Sequence, residues 1–406
     1  MKRFTVAHVA ACQFPVNYGS PAAIRELVEM LSEAGHRIHV ITYPDGQDMS
    51  VGQAVVHRVG QPRPARDLTV GPSWTKPLND LLMVFKLVQI VRREKIEIIH
   101  AHNYEGCLVG VLGKFLTGRP LIYNAVNLMA DELETYGFLP RWVARRVARL
   151  LDWFVPIFPD HIVAVTPELH AGLRRSGVAE ERLTLVPCGM RPEIFEGANP
   201  EPLRAQLGIG SRPVVMYTGI NNAFQRVDYL LRAFTVVRRE IPDALLLIVS
   251  PIENEPNRPA NEALARELGI DADTRFIGPH SLEQLKDYLA LAEVCVVPRT
   301  DCPGHPIKLL NYMVARKPIV SFVSAAKGVQ HLREAWLAPD HDWNALGEGI
   351  ITLLRDRPLA ERLAATARET ALREFDWRQL GKKIEAIYES LLRDRGLVPN
   401  DQPAAS

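Results

Sequence analysis

The most constraining feature of this chain is an alternation that recurs along most of its length. Short apolar runs alternate with segments whose apolar residues recur at helical spacing. Residues 4–11 are such a run; Ile24, Leu27, Val28, Leu31 and Ala34 then mark one helix face, Gly35 stops it, and residues 37–42 form a strand. Strand, helix and strand within about 40 residues make a βαβ unit, which requires a parallel sheet and a right-handed crossover. The order continues with strands expected at 54–59, 96–101, 121–124, 160–166 and 183–186. Helices are expected at 78–94, 106–116 and 168–176, and a Pro-rich surface loop at 60–77. Pro192, Gly197, Pro200, Pro202 and Gly208 then crowd a break, after which a second series alternates from residue 214 to residue 322. The tail 359–395 is expected to be helical and 396–406 a disordered end.

The fold class is therefore α/β, with two Rossmann-like doubly wound parallel sheets, and 406 residues exceed what one core organises. A net charge of +1 lacks the field expected of a nucleic-acid partner. The five cysteines are scattered without a C-x-x-C pair, which suggests reduced thiols and a cytoplasmic protein. The start is too interrupted for a signal peptide, and no apolar run has transmembrane length.

In doubly wound sheets ligands bind beyond the carboxyl ends of the strands. After the first strand come Tyr18, Gly19 and Ser20, a turn whose amides and hydroxyl suit a sugar or phosphate. A plain connection explains them equally, and the spacing is not that of a nicotinamide site. His100 and His102 lie two apart on a strand and so share a face, with Asn103 next. A metal there would need third and fourth ligands that the spacing does not supply, and a structural histidine is an equal alternative. Asn127 and Asp131 follow the next strand, placed for hydroxyl recognition or for helix capping.

In the second half, Gly219 and Arg226 precede a helix, and Arg226 is either a bidentate donor to a diphosphate or simply solvated. Gly304, His305 and Pro306 lead into a helix carrying Lys308 and Asn311. Bare amides at its start would bind an anion, and Pro306 suits the first helical position. Residues 140–154 form a sharply divided basic helix, with Arg141, Arg145 and Arg149 on one face and Trp142, Val143, Val147, Leu150 and Phe154 elsewhere. Such a helix can lie on anionic lipid, although packing on its own domain with arginines in water is the plainer reading.

Taken together, these pieces resemble glycosyltransferase family 4 of the GT-B fold. The likeness rests on the N-terminal glycine loop and on Glu33 to Thr42, Ile98 to Asn103, and Val186 to Met190 with Phe195. It continues through Tyr217-Thr218-Gly219, Pro298-Arg299 and the block from Lys308 to Val320. The resemblance implies two Rossmann-like domains facing across a cleft: 1–195 for the acceptor and 196–375 for the nucleotide sugar, with helix 376–395 crossing back to the first. It implies a cytoplasmic hexosyltransferase, at most peripheral at the inner face of the membrane and serving cell-envelope polysaccharide or glycolipid synthesis. The donor would be a nucleotide-diphosphate sugar, the acceptor a glycan, lipid or small molecule, and the course retaining, without metal or cofactor.

His102, Asn127 and Arg226 would then be catalytic. Gly219, Arg226, Gly304, His305, Pro306, Lys308 and Asn311 would hold the donor, and Tyr18, Gly19, Ser20, Asn103 and Asp131 the acceptor. The chain also departs from the family pattern. Pro303 and Asn311 stand where paired glutamates are usual, Ile220 and Gln225 where a basic pair is usual, and Val126 where a histidine is usual. A catalytically impaired GT-B subunit that binds a nucleotide or a partner is the alternative these departures raise.

Overall fold

Parallel strands covered on both faces are written as unbroken apolar runs, and Leu245–Val249, all leucine, isoleucine and valine, is buried throughout. The computed structural model describes residues 3–17, 19–61, 63–64, 76–133, 140–300, 302 and 306–396. They divide into two units: residues up to Gly189 with the chain from Trp377 on, and residues Met190–Asp376.

Unit 1 begins with β1 (Thr5–Ala10), α1 (Gly19–Glu33), β2 (Arg37–Thr42), β3 (Val55–Arg58) and α2 (Lys76–Arg93). It continues with β4 (Ile98–His102), α3 (Asn103–Thr117), β5 (Leu121–Ala125), α4 (Met129–Glu132) and α5 (Arg141–Phe154). Strand β6 (His161–Ala164), α6 (Pro167–Arg175) and β7 (Leu183–Leu185) follow. The seven strands run in the order β3-β2-β1-β4-β5-β6-β7, all parallel. The chain moves outward from β1 in one direction, then returns to build on its other side, so the switch point lies between β1 and β4.

Unit 2 comprises α7 (Glu201–Leu207), β8 (Val214–Thr218), α8 (Val227–Glu240), β9 (Leu245–Val249), α9 (Arg258–Glu267) and β10 (Thr274–Ile277). Next come α10 (Leu282–Leu291), β11 (Val294–Val297), α11 (Ile307–Val314), β12 (Ile319–Phe322), β13 (Trp336–Ala338), α12 (Trp343–Arg355) and α13 (Arg357–Glu374). Its order, β10-β9-β8-β11-β12-β13, is again all parallel, with the switch point between β8 and β11. Local signals set the helix ends. Ser281 and Gln284 form a reciprocal capping box at α10, and Thr166 caps α6 with Pro167 just inside.

Two expectations about element limits are corrected. Helix α3 starts at Asn103, earlier than the periodicity places it, and Asn103 itself holds φ 60°, a left-handed conformation that asparagine tolerates. The helical tail is two helices, α13 and α14 (Trp377–Asp394). Between them the Phe375 carbonyl accepts from Met190 N at 2.8 Å, and that bridge takes the backbone out of the helix.

Helix α14 completes the core of unit 1. Tyr388, Ile384 and Leu392 join Phe4, Val6, Leu27 and Val28 in one buried cluster. Trp377 Nε1 donates to Glu26 Oε2 at 3.3 Å, and His36 Nε2 lies 3.0 Å from Glu385 Oε1. Gly189 backs onto the Trp377 indole so closely that any Cβ would overlap it. Gly189→Val is therefore expected to destabilise unit 1 by about 1–3 kcal/mol, read as a lower urea midpoint.

Candidate active site

Unit 2 gathers polar groups at its switch point. Strand β8 ends in Tyr217 and Thr218, and Gly219 then turns at φ 126°, a conformation that side chains rarely adopt. A Cβ on Gly219 would sit 2.8 Å from the Lys308 ammonium, so the glycine is also what lets the lysine lie against the chain. Lys308 stands in the first turn of α11. Its Nζ donates to Tyr217 Oη at 2.6 Å and to Gln225 Oε1 at 2.8 Å, and it lies 3.9 Å from the centre of the Tyr217 ring. Tyr312, one turn further on, accepts from the Thr218 amide at 2.8 Å and ties α11 to the end of β8.

Electrostatics single out the same place. Burial pushes the Lys308 ammonium well below its usual pKa, and Arg299, just past β11, pushes the same way. The Arg299 Nε is itself buried without a hydrogen-bond partner. Among the described residues no carboxylate pairs with Lys308. Two cations thus gather beyond the strand ends, and the described hydrogen bonds of Lys308 go to neutral oxygens.

Arg226 is placed differently from its expected role at the diphosphate. It sits at φ 52°, directs both guanidinium donors to Asp228 at 3.0 and 2.9 Å, and stacks on Tyr229 with its guanidinium carbon 3.6 Å from the ring centre. The neighbouring Gln225, not Arg226, reaches Lys308. Pro306 is also corrected: with ψ 109° it is the N-cap of α11, not its first helical residue. Asn311 is half-buried in the turn of α11 that follows Lys308. Gly304 and His305, with Pro303, lie outside the described residues.

Sequence reasoning missed the support behind this site. Glu255 accepts from the Asn221 amide at 2.7 Å, and Asn261 Nδ2 donates to Asn221 Oδ1 at 2.6 Å, fixing the loop that follows Gly219. Burial raises the Glu255 pKa. Glu255 lies in a loop without periodicity, so nothing local signals it, whereas Arg299 at a strand end was open to inspection.

In unit 1, Gly19 and Ser20 follow β1 at the start of α1, with Gly19 at φ 60°; Asn103 follows β4, and Asn127 follows β5. Because β1, β4 and β5 are neighbours, these residues share one edge of the sheet. Tyr18 and the Asp131 side chain lie outside what the structure describes.

His102 takes a different place from the one expected. It shares a face with His100 as the strand period requires, but both are fully buried, and His8 from β1 joins them. His8 Nδ1 lies 2.8 Å from His102 Nε2, His102 Nδ1 lies 3.2 Å from Asn124 Nδ2, and His100 Nδ1 lies 2.8 Å from Tyr388 Oη. An amide nitrogen can only donate, so His102 carries its proton on Nε2 and donates to His8. Burial lowers all three pKa values, that of His102 to about 3, so the cluster is neutral. His8 supplies the third imidazole that sequence spacing could not. The ring centres lie 4.7–5.1 Å apart, with interplanar angles of 15–31°. One nitrogen of each ring lies within 4.8 Å of the other two, and the His8–His102 hydrogen bond engages one nitrogen of each of that pair. His102 is thus buried behind the strand end.

Two all-parallel doubly wound sheets, with cations gathered at the switch point of the second, define an α/β protein of GT-B type. Residues 19–189 match the Glycosyl transferase 4-like domain family, and residues 212–356 match Glycosyl transferases group 1. The chain belongs to the family 4-like GT-B glycosyltransferases, and it is a glycosyltransferase. It is 25% identical to an alpha-D-kanosaminyltransferase of Streptomyces kanamyceticus, over 91% of this chain and 98% of that protein. In fold it is similar to sucrose-phosphate synthase of Thermosynechococcus elongatus (TM-score 0.80, 20% identity, 97% of this chain and 100% of that one). It is also similar in fold to Anabaena HepE in complex with UDP-glucose (TM-score 0.76, 17% identity, 96% and 100%).

Proposed function

We propose that the chain transfers a hexose-type sugar from a nucleoside-diphosphate donor held on unit 2 beyond β8 and β11. The observation that carries this reading is Lys308: a half-buried ammonium held by Tyr217 and Gln225, with Arg299 nearby and no carboxylate paired with it among the described residues. A diphosphate supplies the missing negative charge. The UDP-glucose bound in HepE, whose fold the chain shares, supports a nucleoside diphosphate as that anion.

As the sugar leaves, negative charge grows on the departing diphosphate, and preformed donors aimed at it stabilise that change. Lys308 and Arg299 are the side-chain donors, and the first amides of α11 add backbone ones. Together they offer the charge that a divalent ion would otherwise provide, which supports metal-independent transfer. Retention of configuration is the course that the family resemblance supports. Asn311 offers an amide to donor hydroxyls. The Arg226–Asp228 pair is partly exposed and worth no more than about 1 kcal/mol, so a bound donor can draw Arg226 away at small cost. The acceptor, a glycan, lipid or small molecule, is received on the unit 1 edge carrying Gly19, Ser20, Asn103 and Asn127.

Calorimetry with UDP, GDP and ADP and their hexose conjugates tests the reading. At least one diphosphate binds, and its mononucleoside binds far more weakly; a folded protein that takes none of them refutes the proposal. Gly219→Ala gives an independent check. Its Cβ would displace the Lys308 ammonium and strain the backbone, so donor affinity should fall about tenfold or more while unit 2 loses about 1–3 kcal/mol of stability.

A further inference from the structure

We infer that unit 1 docks on a bilayer surface bearing anionic lipid, through the outward faces of α5, α3 and α2. Helix α5 is packed inside out. It buries Ala144, Ala148 and Asp152 and turns Trp142, Leu150, Trp153 and Phe154 outward, the two tryptophans 66% and 57% exposed. A helix that packs only for its own domain buries its large apolar residues and leaves small and polar ones outside. Here the order is reversed. Asp152, the helix's one acid, points inward and accepts from the amides of Met129 and Ala130 at 2.7 and 2.9 Å. The exposed charges of α5 are therefore arginines: Arg145, Arg146 and Arg149, with Arg146 lying 5.7 Å from the Trp142 ring centre. The Arg141 side chain lies outside the described residues.

The apolar face continues beyond α5. Phe154 packs edge-on against Phe158 and Phe158 against Phe115 of α3, with ring centres 4.9 and 6.0 Å apart. Leu112 and Phe115 are 50% and 67% exposed on α3, and α2 adds Leu78 and Phe85 at 62% and 66%. Scattered exposed leucines need no explanation, but most of the exposed large apolar side chains among the described residues fall on these neighbouring helices. No helix among the described residues is long and apolar enough to cross a membrane, so the contact lies in the interface plane.

Charge complementarity selects the occupant. Arginines interleaved with tryptophans, and no outward acid on α5, match a negatively charged headgroup layer, with indole rings at the polar–apolar boundary. A second copy related by a twofold axis would set the same arginines against each other, which like-charge repulsion opposes. This inference is independent of the transfer chemistry proposed for unit 2.

Flotation of the full chain with vesicles tests it, comparing phosphatidylcholine alone with phosphatidylcholine containing about one third phosphatidylglycerol. The expected result is binding at least about tenfold stronger to the anionic vesicles, weakening as salt is raised. Trp142→Ser with Trp153→Ser, and separately Arg145→Glu with Arg149→Glu, should each lower that binding about tenfold or more. Because all four side chains are exposed, circular dichroism should stay unchanged. Absence of binding to the anionic vesicles, equal binding to both compositions, or variants that bind as well as the parent would overturn the inference. So would self-association in sedimentation that the tryptophan substitutions abolish, which would assign the face to a second copy.

Discussion

Replacing Lys308 with glutamine lowers the rate of sugar transfer by about 100- to 1,000-fold and leaves the fold intact. The size follows from removing one preformed donor to developing charge, about 3–4 kcal/mol of transition-state stabilisation. Glutamine still fills much of the space and can donate to Tyr217 Oη, so the change is mainly one of charge. Stability should not fall with activity. The half-buried ammonium carries a desolvation cost that no described carboxylate offsets, and removing it should hold or raise the melting temperature. Affinity for the nucleoside diphosphate drops by about tenfold or more, and affinity for the bare nucleoside much less. Arg226→Ala is the internal comparison. Its guanidinium already serves Asp228 and the Tyr229 ring, so the expected loss is within about fivefold. Steady-state transfer and diphosphate titration of both variants decide the matter. A Lys308→Gln enzyme near parental rate beside a crippled Arg226→Ala enzyme would return the diphosphate to the arginine.

The architecture was legible because each element follows a period that chain chemistry imposes locally. Apolar runs such as Leu245–Val249 mark covered strands, Gly35 and Gly118 end helices in the left-handed conformation, and βαβ order dictates parallel pairing. The site was legible only where position after a strand was itself the signal, as for Gly219 and Lys308. Arg226 shows the limit: sequence places it beside the right loop, but a positive φ and a carboxylate two residues on decide where its donors point. Helix α5 shows another. Its division into faces is plain in the sequence, yet which face turns inward depends on Ala144 and Ala148 fitting a close contact. The histidine cluster is a third case. His8 stands 94 residues from His102, and only the β1–β4 register, with His8 opposite His100, joins them.

That cluster makes unit 1 acid-sensitive, and the sign follows from proton binding. In the unfolded chain His8, His100 and His102 titrate near about 6.5, whereas in the folded unit burial keeps them neutral to far lower pH, about 3 for His102. Above the unfolded value neither state binds these protons, and stability does not depend on them. As the pH falls below it, the unfolded chain takes up protons that the folded unit refuses, so stability is lost until the folded pKa is reached. Each histidine contributes a slope of about 1.4 kcal/mol per pH unit, and three together about 4. His39, lowered to about 4 by burial and by His57, and His161, lowered to about 4 by burial and by Arg182, add to the same trend. Between pH 7 and 5 the cluster alone should remove about 5–6 kcal/mol, which is comparable with the whole stability of many domains. Urea denaturation across that range, with hydrogen exchange followed in β1 and β4 peptides, should show these strands opening well before β8 and β9. His102→Gln, which keeps an amide beside His8 but cannot titrate, should reduce the slope by about one proton whatever its effect on stability at pH 7.5. A slope no steeper than one proton in the parent chain, or one unchanged in the variant, would mean that the three imidazoles find water or charge in the folded unit.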